Sequence, residues 1–254
     1  MSKLADLIRG ATRGTPARLG FGPAPRQARF TMLLVALVGE RWARGVGEAV
    51  SAGADAVLLT GRSGEKELAE AISAADGHPC GLLAPEADAD ASSRLRQAGL
   101  DFLALESQAP ASALLGEELA FLLHLREELT DIQLRVLDTM PLDAIYLDRG
   151  DDLLTIRRQM ELQRISGLTR KPLLLPVRTD AEQQDLLCLR DAGVALVAVD
   201  LGERGAADAL RRLRGIVNSL PPRRRLRREE RPEVTLPRVG AGEGVEEEEE
   251  EEEM

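Results

Sequence analysis

Two cysteines, two histidines, three lysines and six aromatic residues are all that 254 positions hold of those types. Each shortage removes a chemistry. Cys80 and Cys188 stand over a hundred positions apart with no CxxC, which excludes a disulfide framework and a cysteine-rich zinc site. Both are expected to be buried small apolar side chains. His78 lies in the turn GHP and His124 in the apolar run FLLHL, so neither HExxH nor HxH spacing exists to grip a transition metal. Neither histidine has an evident catalytic partner, and TGRSGE is off register for GxSxG, so no hydrolase triad is legible. Schiff-base chemistry needs a lysine amine in a pocket, and Lys171, the nearest of Lys3, Lys66 and Lys171 to one, begins a strand rather than ending it. So few rings leave no stacking platform for a sugar or a nucleic acid. No apolar run reaches about 18 residues, so no membrane span is expected. The start MSKLADLIRGATRG lacks the apolar stretch of a secretion signal, which points to a cytoplasmic protein.

Charge is abundant but unevenly placed. Residues 1–30 carry six basic and one acidic side chain, residues 31–220 carry 20 and 30, and residues 221–254 carry 7 and 12, giving the net −10 of the chain. An acidic body argues against nucleic-acid binding. The apolar content of 44% is enough for a real core.

From residue 30 onward, short apolar runs alternate with amphipathic stretches, as in βα units around a buried parallel sheet. Strands are expected at 30–38, 55–60, 79–85, 101–106, 119–125, 142–148, 171–177 and 195–201. Helices are expected near 41–52, after Ser63 as its cap, at 87–98, at 110–118 (short), from Thr130–Asp131 to Met140, at 152–168 (the longest), at 180–192 capped by Thr179 and ended by Gly193, and at 206–219 before Pro221. The strand runs are continuously apolar, as strands covered on both faces require. The repeated unit AGADAVLLTG, AGLDFLALES, DAIYLDRG and DAGVALVAVDLG resembles that of the TIM-barrel superfamily, with no narrower family indicated. The fold expected is therefore α/β: a compact single-domain (β/α)8 barrel over 30–220, preceded by a helix and link in 1–29 and followed by a disordered tail in 221–254. The rival, an open doubly wound sheet, would want a GxGxxG turn after its first strand, where VGERWARG stands.

In such barrels the loops after the strands build the site. Six of the eight strands are followed within about three positions by an arginine, mostly beside a carboxylate, so the rim is a ring of mixed charge. Glu106, Asp148 and Asp200 each end an apolar strand, where a carboxylate is costly without a partner. They are the candidates for acid, base or Mg²⁺ ligand, with Arg62, Arg149 and Arg178 as anion clamps. Gly202 and Gly205 could bring backbone close to a phosphate. PVRTDAEQQ after the seventh strand has no glycine, which departs from the usual phosphate turn and weighs against FMN as well. The alternative is that acids and arginines simply neutralise one another across a closed top.

Leu4, Leu7 and Ile8 share one side of the first helix, whose expected role is to plug the amino-terminal mouth; a membrane-surface or partner-binding role is the rival. The tail RRRLRREERPEVTLPRVGAGEGV followed by eight glutamates cannot bury a core. Val234, Leu236 and Val239 within it could dock as a strand. Two functions stay open. One is a lyase or isomerase acting on a small carboxylated or phosphorylated metabolite; the other is a barrel without catalysis that serves as a scaffold through its charged tail. A homo-oligomer is compatible with either.

Overall fold

The computed structural model describes residues 2–12, 32–116, 118–148 and 154–221. The 13–31 link, Arg149 and the tail from 222 on lie outside the described residues.

Eight parallel strands close into a barrel in sequence order: β1 (Leu33–Val38), β2 (Ala56–Leu59), β3 (Cys80–Leu83), β4 (Phe102–Glu106), β5 (Ala120–Leu125), β6 (Ala144–Leu147), β7 (Leu173–Pro176) and β8 (Val194–Asp200). Closure is made by β1 and β8, paired from Leu33↔Leu196 to Leu37↔Asp200. The helices are α1 (Lys3–Thr12), α2 (Trp42–Ser51), α3 (Glu65–Ala74), α4 (Ala89–Gln97), α5 (Asp131–Thr139), α6 (Ile156–Thr169), α7 (Gln183–Asp191) and α8 (Ala206–Ser219). The fold is a (β/α)8 TIM barrel.

Local chemistry departs from the sequence reading at several points. Between β4 and β5 there is a 3-10 turn, Ala111–Leu115, in place of an α-helix. Ser63 is not a cap: Gly64 holds that position, and the Ser63 hydroxyl donates instead to the Glu67 carboxylate. Thr179 does not cap α7 either, because the helix begins later, after Glu182, whose N–H donates to Asp185 Oδ2 at 2.8 Å. Thr130 does cap α5, in a reciprocal arrangement with Gln133. Gly193 takes φ +100 after α7, a conformation that favours glycine. Cys188 is exposed, contrary to the expectation of burial, since Leu186 and Leu189 take the inner stripe of α7.

Period-two alternation divides the core into two layers. Leu34, Ala36 and Val38 of β1 face the helices, while Leu33, Val35 and Leu37 face the lumen, where they meet Leu58, Phe102, Ala104, Leu122, Tyr146, Leu174, Leu196 and Ala198. Leu4 and Ile8 of α1 belong to the same inner cluster. The helix therefore closes the amino-terminal mouth. Gly81 leaves room in the lumen for the fully buried Phe102 ring; a Cβ at 81 would lie 2.3–2.5 Å from three ring atoms. Gly81→Ala is expected to cost about 1–3 kcal/mol by overpacking, read as a lower urea midpoint, and Phe102→Leu in the same chain should recover most of it.

An aspartate precedes β2, β4 and β6, and each has a defined task at the amino-terminal end. Asp55 receives the Leu34 N–H on Oδ2 (2.8 Å) and sends its own N–H to Leu34 O (2.8 Å). Asp143 repeats this with Phe121, at 2.9 and 2.8 Å; burial raises its carboxyl above the ordinary value. Asp101 turns its carboxylate to α1 instead, accepting from Ser2 Oγ (2.7 Å), Lys3 N (2.7 Å) and Leu4 N (2.8 Å). The plug is thus anchored by three charge-assisted bonds at its first turn. Such work at the amino-terminal face stabilises the barrel and leaves the opposite face for chemistry.

Candidate active site at the carboxyl-terminal mouth

One step beyond the inward-facing Leu58, Ala104, Tyr146 and Ala198, the same alternation brings Thr60, Glu106, Asp148 and Asp200 to the lumen side at the carboxyl-terminal end. Three of these four even-strand positions are carboxylates. On β5 the corresponding inward series runs Ala120, Leu122, His124. Strand register puts His124 opposite Glu106 on one side and Tyr146 on the other.

His124 is the centre of this arrangement. It is 3% exposed and stacks on the Tyr146 ring with centroids 4.5 Å apart and planes 17° apart. Its Nδ1 lies 3.5 Å from Glu106 Oε1 and its Nε2 lies 3.4 Å from Asp148 Oδ2. Neither ring nitrogen makes a well-directed hydrogen bond. Arg126 spans the same two carboxylates, with NH1 at 3.4 Å from Glu106 and Nε at 3.7 Å from Asp148. Tyr146 donates its hydroxyl to Asp148 Oδ1 over 3.5 Å. Exposure rises outward, from 28% at Glu106 and 39% at Asp148 to 64% at Arg126.

The electrostatics follow from burial between acids. Desolvation pushes the His124 imidazole below its ordinary value; Asp148 and Glu106 pull it part of the way back, and Arg126 opposes them. A neutral imidazole offers one N–H and one lone pair, so between two carboxylates one ring nitrogen faces an acceptor with nothing to give. One added proton removes the conflict, whether held on the ring or on either acid. The trio can therefore accommodate a single shared proton. Burial, with Asp148 and Asp200 nearby, also raises the Tyr146 phenol, keeping it a donor.

The residues singled out from sequence do not all meet. Glu106 and Asp148 come together around His124. Asp200 stands at the end of β8, its Oδ1 accepting the Gly202 N–H at 2.8 Å. Arg178 is turned to its neighbour Asp180 in a two-pronged pair, Nε–Oδ1 2.9 Å and NH2–Oδ2 2.8 Å. This pair holds the Asp180 carboxyl below its usual range. Arg62 is exposed in the loop after β2. Gly205, at φ +79, starts α8, and Arg149 falls outside the described residues. Among the described residues no group of three or more His, Cys, Asp or Glu side chains is placed to hold a metal ion.

His124 and Arg126 were missed as site residues. The histidine sits inside an apolar run and reads as core, and Arg126 was one of many rim arginines. Counting by twos from Ala120, with Glu106 and Asp148 as strand ends on either side, is the signal that finds the histidine. Beside this mouth, between α5 and α6, runs a groove of about 400 Å³ lined by Arg126, Glu127, Arg157, Met160 and Arg164 among others.

No protein-family model and no curated protein sequence matches the chain. Solved structures do resemble it. KGPDC from Streptococcus mutans superposes with TM-score 0.61 at 10% identity, covering 73% of this chain and 97% of that one. The HpcH/HpaI aldolase from Desulfitobacterium hafniense DCB-2 gives 0.56 at 12%, covering 75% and 94%. The (S)-3-O-geranylgeranylglyceryl phosphate synthase from Thermoplasma acidophilum, solved with its substrate sn-glycerol-1-phosphate, gives 0.51 at 14%, covering 87% and 100%. No helix among the described residues is long and apolar enough to cross a membrane. At such identities the likeness is one of architecture: this chain is similar to TIM-barrel proteins, an aldolase and a synthase by name among them.

Proposed function

We propose that the protein is an enzyme of lyase or isomerase type that moves a proton on a small carboxylated or phosphorylated metabolite at the carboxyl-terminal mouth. The observation that supports this reading is a buried imidazole held between two carboxylates, His124 between Glu106 and Asp148, at the end of the barrel where such folds do chemistry. His124 takes a proton from the substrate or returns it, and the two acids share the charge that results. Tyr146 backs the ring and fixes its plane. Arg126 supplies the guanidinium that meets the substrate's anionic group, with Arg62 and Arg178 in the outer loops as further cations. The neighbours named as an aldolase and as a phosphate synthase are consistent with a mouth of this chemical kind.

Proton movement is testable without knowing the substrate. Carboxylated and phosphorylated metabolites incubated with the protein in D2O are followed by NMR for C–H to C–D exchange. The reading predicts exchange in at least one compound with the wild-type protein and none with the Glu106→Gln, Asp148→Asn double variant. Exchange that persists in the double variant would contradict it.

A further inference from the structure

Large apolar side chains that stay in water are unevenly placed on this barrel. Among the described residues, Leu115 in the 3-10 turn, Ile132 and Val136 on α5, and Ile156 and Met160 on α6 are 54% to 80% exposed. The outer faces of α2, α3, α4, α7 and α8 show no large apolar side chain of this kind. α5 already buries Leu134 and Leu137, and α6 buries Leu162 and Ile165, so each helix has its inner stripe. Ile132 with Val136, and Ile156 with Met160, stand four residues apart and form a second apolar row on each helix, turned away from the core. Single exposed apolar residues need no explanation. Two rows on packed neighbouring helices mark a surface that is covered in use.

Two ion pairs set the heights of these helices relative to each other. Arg164 of α6 meets Asp131 of α5 at 2.5 Å, and Arg170 of α6 meets Asp138 of α5. A residue of α6 is therefore level with the α5 residue 32 or 33 positions before it. On that register, with a rise of about 1.5 Å per residue, Met160 stands about 7 Å nearer the carboxyl-terminal mouth than Ile132. The four side chains thus follow a diagonal line, Ile156, Met160, Ile132, Val136, from the start of α6 to the end of α5. The Arg164–Asp131 pair lies at the middle of this line.

We propose that this line is the contact between two copies of the chain, related by a two-fold axis through the Arg164–Asp131 pair. Such an axis lays the line antiparallel on its own copy. Met160 of one protomer then packs on Ile132 of the other, and Ile156 on Val136, so each contact occurs twice. Charge complementarity favours a second copy as the occupant. At the axis the Arg164–Asp131 pair meets the same pair reversed, and the two close into a ring of four charges with equal numbers of each sign. The apolar side chains flank that ring on both sides and lose their water together.

The test is sedimentation equilibrium of the full chain, with far-UV circular dichroism to verify that each variant is folded. Wild type is expected to form a dimer of twice the 27.5 kDa chain mass, with a Kd of about 10 µM or below. Met160→Asp alone, or Ile132→Arg alone, should weaken association at least about 30-fold, because each substitution acts twice across the axis. Leu115→Asp, off the line, should leave the Kd unchanged. The double variant Met160→Asp, Ile132→Arg should regain at least about tenfold over either single one, since each new acid faces a new base of the other copy. A wild-type monomer overturns the proposal and leaves the line to another molecule. Growth beyond two copies, a dimer indifferent to Met160→Asp and Ile132→Arg, equal damage from Leu115→Asp, or a double variant no tighter than the single ones overturns it as well.

Discussion

Asp55→Ala is expected to remove about 3–5 kcal/mol of stability, the range for breaking one side of a buried ion pair. Asp55 and Arg214 are 12% and 17% exposed and lie 2.6 Å apart. Arg214 joins α8 to the turn before β2, donating Nε and NH2 to Gly53 O at 2.8 and 2.7 Å. Without the carboxylate, a guanidinium stays in a half-dry site and the Leu34 N–H loses its acceptor. The loss falls at β1, one of the two strands that close the barrel. For a domain of this size the midpoint of thermal unfolding should fall by on the order of 10 °C. Asp143→Asn makes the informative contrast. Its carboxyl occupies the same place before β6, but no ion pair among the described residues holds it and an amide oxygen can still accept from Phe121 N–H. That change should cost under about 1 kcal/mol. A drop as large as that of Asp55→Ala would mean that the strand-bracketing bonds, not the Arg214 pair, dominate.

His124→Gln is expected to lower turnover about 10²–10⁴-fold on any compound whose exchange the protein catalyses, the usual contribution of a positioned acid or base. Glutamine retains polar volume and hydrogen bonding next to Tyr146 but has no proton to pass at neutral pH. Loss of Glu106 or Asp148 alone leaves the imidazole and one acid in place, so each single variant should lose less than His124→Gln. In the proposed reading the anionic group meets Arg126; Arg126→Ala should therefore act chiefly through KM. If His124→Gln keeps turnover within a few-fold of wild type, the ring is a packing element of the barrel and the acid–base reading fails.

Much of the architecture can be read from the chain because strands buried on both faces leave continuous apolar runs, and eight of them occur between loops rich in charge. The three acids at strand ends stand out for the same reason: Glu106, Asp148 and Asp200 interrupt apolar sequence where burial would penalise them. What could not be read is contact across strands. Arg126 looks like any other rim arginine until closure of the barrel sets Glu106 and Asp148 on either side of it. His124 hides inside FLLHL because composition ignores which way a residue points, and only the two-residue alternation from Ala120 and Leu122 turns it inward. Arg178 shows the converse: its position after β7 suggested an anion clamp, but an acid two residues on captures it locally. Helix caps failed where the loop was longer than the shortest one possible, as at Thr179 and Glu182.

The proton-sharing trio can be observed directly, since the chain has two histidines and His78→Gln leaves one. An NMR titration of the labelled imidazole in that background should place His124 below the ordinary histidine value of 6.5, because burial outweighs its two acid neighbours. Replacing Glu106 by Gln, or Asp148 by Asn, should lower it further, as each carboxylate stabilises the charged ring. A ring that titrates at or above 6.5, or that ignores both substitutions, would show that His124 and these acids are not one protonic unit.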